Sequence, residues 1–155
     1  MDPEFKFALY ELNSSVFLQF LENVSGIEKL LPDPYYQGGG IHQILHGGIL
    51  DIHKDFNIYP RLDIFRQLNV IIYLNEQWGP AYGGELELWD AALADGGKCV
   101  KSIPQLFNRA VNSKWTKQAF TAIRKNGSRH LRSPADPSRF TTTQRASWMD
   151  SSTPP

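Results

Sequence analysis

Alternating apolar residues between glycine and proline turns constrain the fold of this sequence more than any other feature. Residues 13–15 (Asn-Ser-Ser) cap one amphipathic helix, which Gly26 ends. Several segments rich in β-branched residues, which favour strands, follow the helix. The predicted strands cover residues 41–55, 67–75, 85–89, 99–103 and 106–111. One packing helix followed by several strands predicts an α+β protein whose core is a β-sandwich or jelly roll.

The size and charge of the chain exclude several classes of protein. A chain of 155 residues with 41% hydrophobic content buries one core, so we expect a single folded domain. Sixteen basic and sixteen acidic side chains cancel, which gives no support for nucleic acid or an anionic membrane as an obligatory partner. The lone Cys99 excludes an internal disulfide and a cysteine-rich zinc site. Without a membrane-length apolar run or a signal peptide, the sequence predicts a cytoplasmic protein.

The balance of charge conceals a change in composition near residue 111. Residues 1–111 hold 8 basic and 14 acidic side chains, whereas residues 112–155 hold 8 basic and 2 acidic ones. The second segment has 13 serine or threonine residues and no apolar period, which is typical of irregular chain. We therefore predict an incomplete folded domain at 1–111 and a basic tail at 112–155 that adds no regular strand, so that the C-terminal strands of the domain are missing or disordered.

One predicted strand carries two side chains with metal-binding chemistry. Residues 48–55 alternate, so His53 and Asp55 share one strand face with Asp51. An imidazole and a carboxylate two residues apart are two of the three ligands of the facial triad that binds non-haem Fe(II). By itself so short a motif more often belongs to a surface strand with a solvated acid. The neighbouring sequence decides between that interpretation and a metal site.

The surroundings favour the metal interpretation, because residues 43–90 carry further motifs in a specific order. After the His53 and Asp55 pair come Arg66, the run NVIIYLN, a tryptophan and the run GGELELWD. This arrangement resembles the Fe(II)/2-oxoglutarate dioxygenases of the prolyl-hydroxylase type, which include the hypoxia-factor prolyl hydroxylases. The ordered runs are far more specific than the ligand pair alone.

The resemblance implies a fold, a site and a reaction. The fold is a double-stranded β-helix, the jelly roll, in which His53 and Asp55 are the catalytic iron ligands and Tyr73 lines the 2-oxoglutarate pocket. Fe(II) is the implied cofactor, 2-oxoglutarate and O₂ are the cosubstrates, and ascorbate is the reductant. The implied reaction hydroxylates an unactivated C–H bond, in a prolyl residue or a similar group. The sequence has no code for the substrate, whether peptide or small molecule.

The resemblance fails after residue 111, where the family has a third iron ligand and a basic anchor for 2-oxoglutarate. His130 is the only histidine after Asp55 and hence the one candidate third ligand there. No apolar strand surrounds His130, which is more typical of a solvated tail. With two ligands and no anchor, we expect the chain as written to turn over 2-oxoglutarate feebly or not at all.

The genetic code offers an explanation for this break. In a shifted reading frame the codon that spans Phe120 and Thr121 permits only His or Tyr, and the next three codons permit Gly, His and Pro. That frame restores the missing histidine and, further on, a basic anchor. We infer that residues from about 112 onward are translated out of frame. The alternative is a genuine basic extension that binds an acidic partner.

Functions of different classes therefore stay open. The first is an iron oxygenase or its disabled remnant, and the second is a non-catalytic β-sandwich binding module with a basic tail. A third is a hydrolase that uses His53 and Asp55 with another metal. Metal dependence separates the first two, and succinate production separates the oxygenase from the hydrolase.

Overall fold

The structure is a computed structural model that describes residues 3–33, 35–36, 39–44, 48–59, 62–76, 78–79, 82–114 and 120–123, and the backbone of 141–150. Within these residues two helices precede nine strands. The helices are α1 (Pro3–Leu12) and α2 (Ser15–Ser25). The strands are β1 (Gly40–Ile44), β2 (Leu50–His53), β3 (Ile58–Tyr59), β4 (Ile64–Tyr73), β5 (Leu86–Trp89), β6 (Cys99–Ile103), β7 (Ala110–Lys114), β8 (Phe120–Ile123) and β9 (Thr141–Asp150).

Helix α2 begins and ends where the sequence predicts. Ser14 is its N-cap, and the Ser14 hydroxyl accepts a hydrogen bond from the Phe17 N–H at 3.3 Å. Gly26 ends the helix in the left-handed conformation with φ of 69°, which glycine adopts without steric cost. Helix α1 was not predicted from the sequence. Its three aromatic residues are exposed and do not share one face, so they form no amphipathic pattern. Neither helix in the described part of the chain has the length and apolarity that a membrane crossing needs.

The described strands form two antiparallel sheets. The first has the order β1-β9-β4-β3, with β7 also paired to β4, and the second has the order β2-β8-β5-β6. This arrangement confirms the predicted α+β class. The predicted strand at 41–55 is in fact two strands in different sheets, β1 and β2, and the second ends at His53. Asp55 therefore lies beyond the strand that was expected to carry it.

Strand β4 is the centre of the core. Leu68 and Val70 are buried on its helix-facing side, where they pack against leucines of both helices. That cluster comprises Leu12, Leu18, Leu21, Leu30, Leu68 and Val70. Full burial of such a side chain contributes about 1.5–3 kcal/mol. The other side of β4 carries Asn69 and Tyr73, which are also buried.

Residues after 111 form strands, contrary to the prediction. Strand β7 crosses the predicted boundary, β8 pairs with β2 and β5, and β9 pairs with β1 and β4. The neighbouring strands present rows of backbone N–H and C=O groups that need partners, and backbone pairing requires no apolar alternation. The expectation of no regular strand in 112–155 is therefore wrong for these segments. Their origin in a shifted reading frame stays a prediction.

Candidate functional site

His53 and Asp55 come together at the end of strand β2. The distance between His53 Nε2 and Asp55 Oδ1 is 3.6 Å. Two donor atoms that each lie about 2.1 Å from one metal ion are roughly 3 to 4 Å apart, so this separation suits a shared ion. Because β2 ends at His53, Asp55 reaches this position from the segment after the strand. The predicted convergence is present, although only one of the two residues belongs to the strand.

A hydrogen bond determines which nitrogen of His53 faces Asp55. His53 Nδ1 lies 2.8 Å from the backbone carbonyl oxygen of Asp51, and because a carbonyl only accepts, Nδ1 is the donor. In the neutral ring, Nε2 then directs its lone pair toward the carboxylate. The Nε2 lone pair and the carboxylate oxygen are both electron-rich and lie 3.6 Å apart. A cation between them or a proton on Nε2 therefore stabilises their approach. Asp51 thus contributes its backbone, and the residue itself is exposed.

Strand β4 holds the other oxygen of the Asp55 carboxylate. Asn69 Nδ2 donates a hydrogen bond to Asp55 Oδ2 at 2.9 Å, and Arg66 Nη1 lies 3.7 Å from the same oxygen. Arg66 is only 1% exposed, and its guanidinium stacks on the Phe56 ring at 3.8 Å. The carboxylate therefore turns Oδ2 toward β4 and Oδ1 toward His53. Hydrogen bonds to one oxygen are the usual way in which a protein orients a carboxylate that binds metal through the other.

A β-bulge explains how Arg66 and Asn69 reach the same carboxylate. In a regular strand, residues three apart point to opposite faces. The pairing of β4 with β9 shifts register between Arg66 and Leu68, and a bulge of this kind changes the face that the next side chains occupy. Leu68 consequently stays in the core while Arg66 contacts Asp55. In the sequence, Arg66 stands only as part of a motif, and the one signal for Asn69 is a polar residue in an apolar run.

Tyr73 is the last residue of strand β4, and it is buried. Its side chain is 3% exposed, and burial raises the pKa of Tyr73 to about 12, with the positive charge of Arg109 offsetting part of the rise. The phenol therefore stays protonated at neutral pH. The Tyr73 N–H donates to the Arg109 carbonyl at 3.0 Å, and its carbonyl accepts from the Asn108 N–H at 2.9 Å. The role of Tyr73 in a 2-oxoglutarate pocket stays a prediction.

The described residues fit an iron site only in part. They contain no group of three or more His, Cys, Asp or Glu side chains that could hold a metal ion. His53 and Asp55 supply two donors of the right kind at a suitable separation. His130, the predicted candidate for the third, lies outside the described residues. The described residues therefore offer two candidate ligands for Fe(II).

Comparisons with known proteins give a family and a fold. Residues 39–144 match the family described as the 2OG-Fe(II) oxygenase superfamily. No curated protein sequence matches the chain. Among solved structures, the chain is similar to a prolyl 4-hydroxylase from Phytophthora capsici, with a TM-score of 0.58, 18% identity, and coverage of 96% of this chain and 42% of that chain. It is also similar to a Pseudomonas putida prolyl-4-hydroxylase, with a TM-score of 0.48, 18% identity, and coverage of 88% and 63%.

The similarity to the Phytophthora capsici structure confirms the predicted jelly roll. It covers 96% of this chain. The chain spans less than half the length of that protein and less than two thirds of the Pseudomonas putida one.

Proposed function

We propose that this chain, which belongs to the 2OG-Fe(II) oxygenase superfamily, is an Fe(II)- and 2-oxoglutarate-dependent hydroxylase whose ligand pair is His53 and Asp55. The observation that carries the proposal is the 3.6 Å approach of His53 Nε2 to Asp55 Oδ1, with the other carboxylate oxygen held by β4. A peptide is the substrate class that we favour, with a prolyl residue as the nearest analogy. Both solved structures named above are described as prolyl 4-hydroxylases.

The residues of the chain have separate tasks in this proposal. The metal, 2-oxoglutarate and O₂ together supply the oxidising chemistry when they are bound. His53 would bind the metal through Nε2 and Asp55 through Oδ1. Asn69 and Arg66 keep Asp55 Oδ2 turned toward β4, so that one oxygen alone faces the histidine. Tyr73, protonated at neutral pH because burial raises its pKa, would donate a hydrogen bond to 2-oxoglutarate.

A second candidate function is a non-catalytic binding module on the same fold. The observation that favours it is the absence of a three-residue metal cluster from the part of the chain that the structure describes. The predicted turnover, feeble or absent, is consistent with a disabled oxygenase and, where it is absent, with a binding module, and metal dependence distinguishes them. Ascorbate as reductant and a cytoplasmic location stay predictions from the sequence.

Succinate release by the full chain tests the proposal. The assay supplies Fe(II), 2-oxoglutarate and O₂, with and without ascorbate, and compares the unchanged chain with His53→Ala and Asp55→Ala. His42→Ala is the matched control, because His42 is an exposed histidine on β1, in the other sheet. We expect slow release that both site variants abolish and the control retains. Release that survives both site variants would contradict the assignment, and no release from any variant would favour the binding module.

A further inference from the structure

Strand β8 places Thr121 directly opposite His53. The antiparallel register of β2 and β8 pairs His53 with Thr121, and Thr121 also pairs with Leu88 of β5 on its other side. Residues directly opposite in an antiparallel pair project from the same face, with Cβ atoms about 4.5–5.5 Å apart. The half-buried side chain of Thr121 therefore stands on the face that carries the His53 imidazole.

A ligand side chain at position 121 would reach a metal ion that His53 and Asp55 bind. A facial iron site takes two histidines and one carboxylate, and His53 with Asp55 supplies one of each. Threonine has a neutral hydroxyl that does not belong to that donor set. The neighbours of Thr121 on β8 are Phe120 and Ala122, and neither carries a donor atom in its side chain.

The shifted reading frame points to the same position in the chain. In the shifted frame, the codon that spans Phe120 and Thr121 permits only His or Tyr. That codon falls in β8 at the residue paired with His53. The codon restriction and the strand register are inferred separately, and both point to Thr121.

We propose that Thr121 occupies the third-ligand position of the metal site, so that, among the described residues, His53 and Asp55 alone bind a divalent metal and the single change Thr121→His completes the site. The inference rests on the proposed function, because it takes His53 and Asp55 as the ligand pair. It adds the location of the missing ligand, which lies on a strand that the charge and composition of the tail had excluded.

Titration of the full chain with Co²⁺, followed by visible absorption and calorimetry, tests this without any measurement of activity. We expect weak binding by the unchanged chain and at least about 10- to 100-fold tighter binding by Thr121→His, since even the outer partners of metal ligands account for that range. Adding His53→Ala to Thr121→His should remove the gain. Thr121→Asp, which is close to threonine in size, offers a carboxylate in case the imidazole disturbs folding, and should also tighten binding.

Two further variants separate the possible outcomes. Val100→His adds an exposed histidine on β6, which does not pair with β2, and should leave the affinity unchanged. If the unchanged chain binds Co²⁺ tightly, if His53→Ala and His130→Ala both weaken that binding, and if Thr121→His gives no gain, the third ligand is His130 and the inference is wrong while the proposed function stands. If His53→Ala changes the affinity of neither the unchanged chain nor Thr121→His, the proposed function fails as well.

Discussion

Strands β2 and β4 both contribute to the contact at Asp55, but they are held in opposite ways. Strand β4 has ten residues, pairs with β3, β7 and β9, and is buried over most of its length. Strand β2 has four residues, of which two are exposed and two are half-buried, and it pairs with β8. A register shift interrupts even that pairing between Leu50 and His53.

The two halves of the site therefore keep their geometry by different means. The core fixes Asn69 and Tyr73, because Leu68 and Val70 between and beside them pack under the helices. His53 has no such support from its own strand, and its ring is oriented by the hydrogen bond to the Asp51 carbonyl. We therefore expect substitutions in β4 to act on the whole fold and substitutions in β2 to act on the site alone.

Removal of the Leu68 side chain should destabilise the fold more than any other change considered. Leu68 is 0% exposed, so Leu68→Ala should lower the free energy of unfolding by about 2–5 kcal/mol through the cavity that it leaves. Leu50→Ala is the matched change on β2, where the residue is 42% exposed, and should stay within about 0.5 kcal/mol. Urea unfolding at pH 7, followed by far-ultraviolet circular dichroism, measures both. Equal losses at the two positions would show that β2 is as much a part of the core as β4.

The next effect concerns the contact that joins the two strands. Asn69→Ala removes the hydrogen bond to Asp55 Oδ2 and should cost about 1.5–3 kcal/mol, the range for a hydrogen bond to a charged group. Asn112→Ala, at an exposed asparagine on neighbouring β7, should be close to neutral. The same urea experiment serves for both. A double-mutant cycle with Asp55→Ala would show no coupling if Asn69 acted only through the packing of β4.

The sequence predicts those parts of the fold that local signals determine. The serine cap and the glycine stop locate α2, and the strand at 99–103 agrees with β6 residue for residue. Local signals do not predict strands β8 and β9, because these strands form by pairing with strands far away in the chain. The polar composition of these residues predicts a tail. Only the unpaired backbone groups of β2, β5, β1 and β4 require that β8 and β9 belong to the sheets.

The candidate site was predictable to a similar extent. The His-x-Asp spacing with its downstream motifs predicts the His53 and Asp55 pair, which converges as expected although Asp55 has left the strand. The contact between Arg66 and Asp55 was not predictable, because it depends on a bulge that changes the face of one residue. A period of two along β4 assigns Arg66 to the face of Leu68, in the core under the helices.

The smallest of the three effects is a pH dependence at the end of β4. Because burial raises the pKa of Tyr73 from 10.0 to about 12, the unfolded chain loses the phenol proton before the folded chain does. The contribution of the neutral phenol to stability is complete below pH 10 and is lost as the pH rises through 12; at pH 11 the loss is about 1.4 kcal/mol. The unchanged chain should therefore lose that much more stability than Tyr73→Phe between pH 8 and pH 11 in urea titrations. Tyr10→Phe, at a tyrosine that is 55% exposed, should match the pH dependence of the unchanged chain, and a Tyr73→Phe curve parallel to both would mean that the phenol is in contact with water.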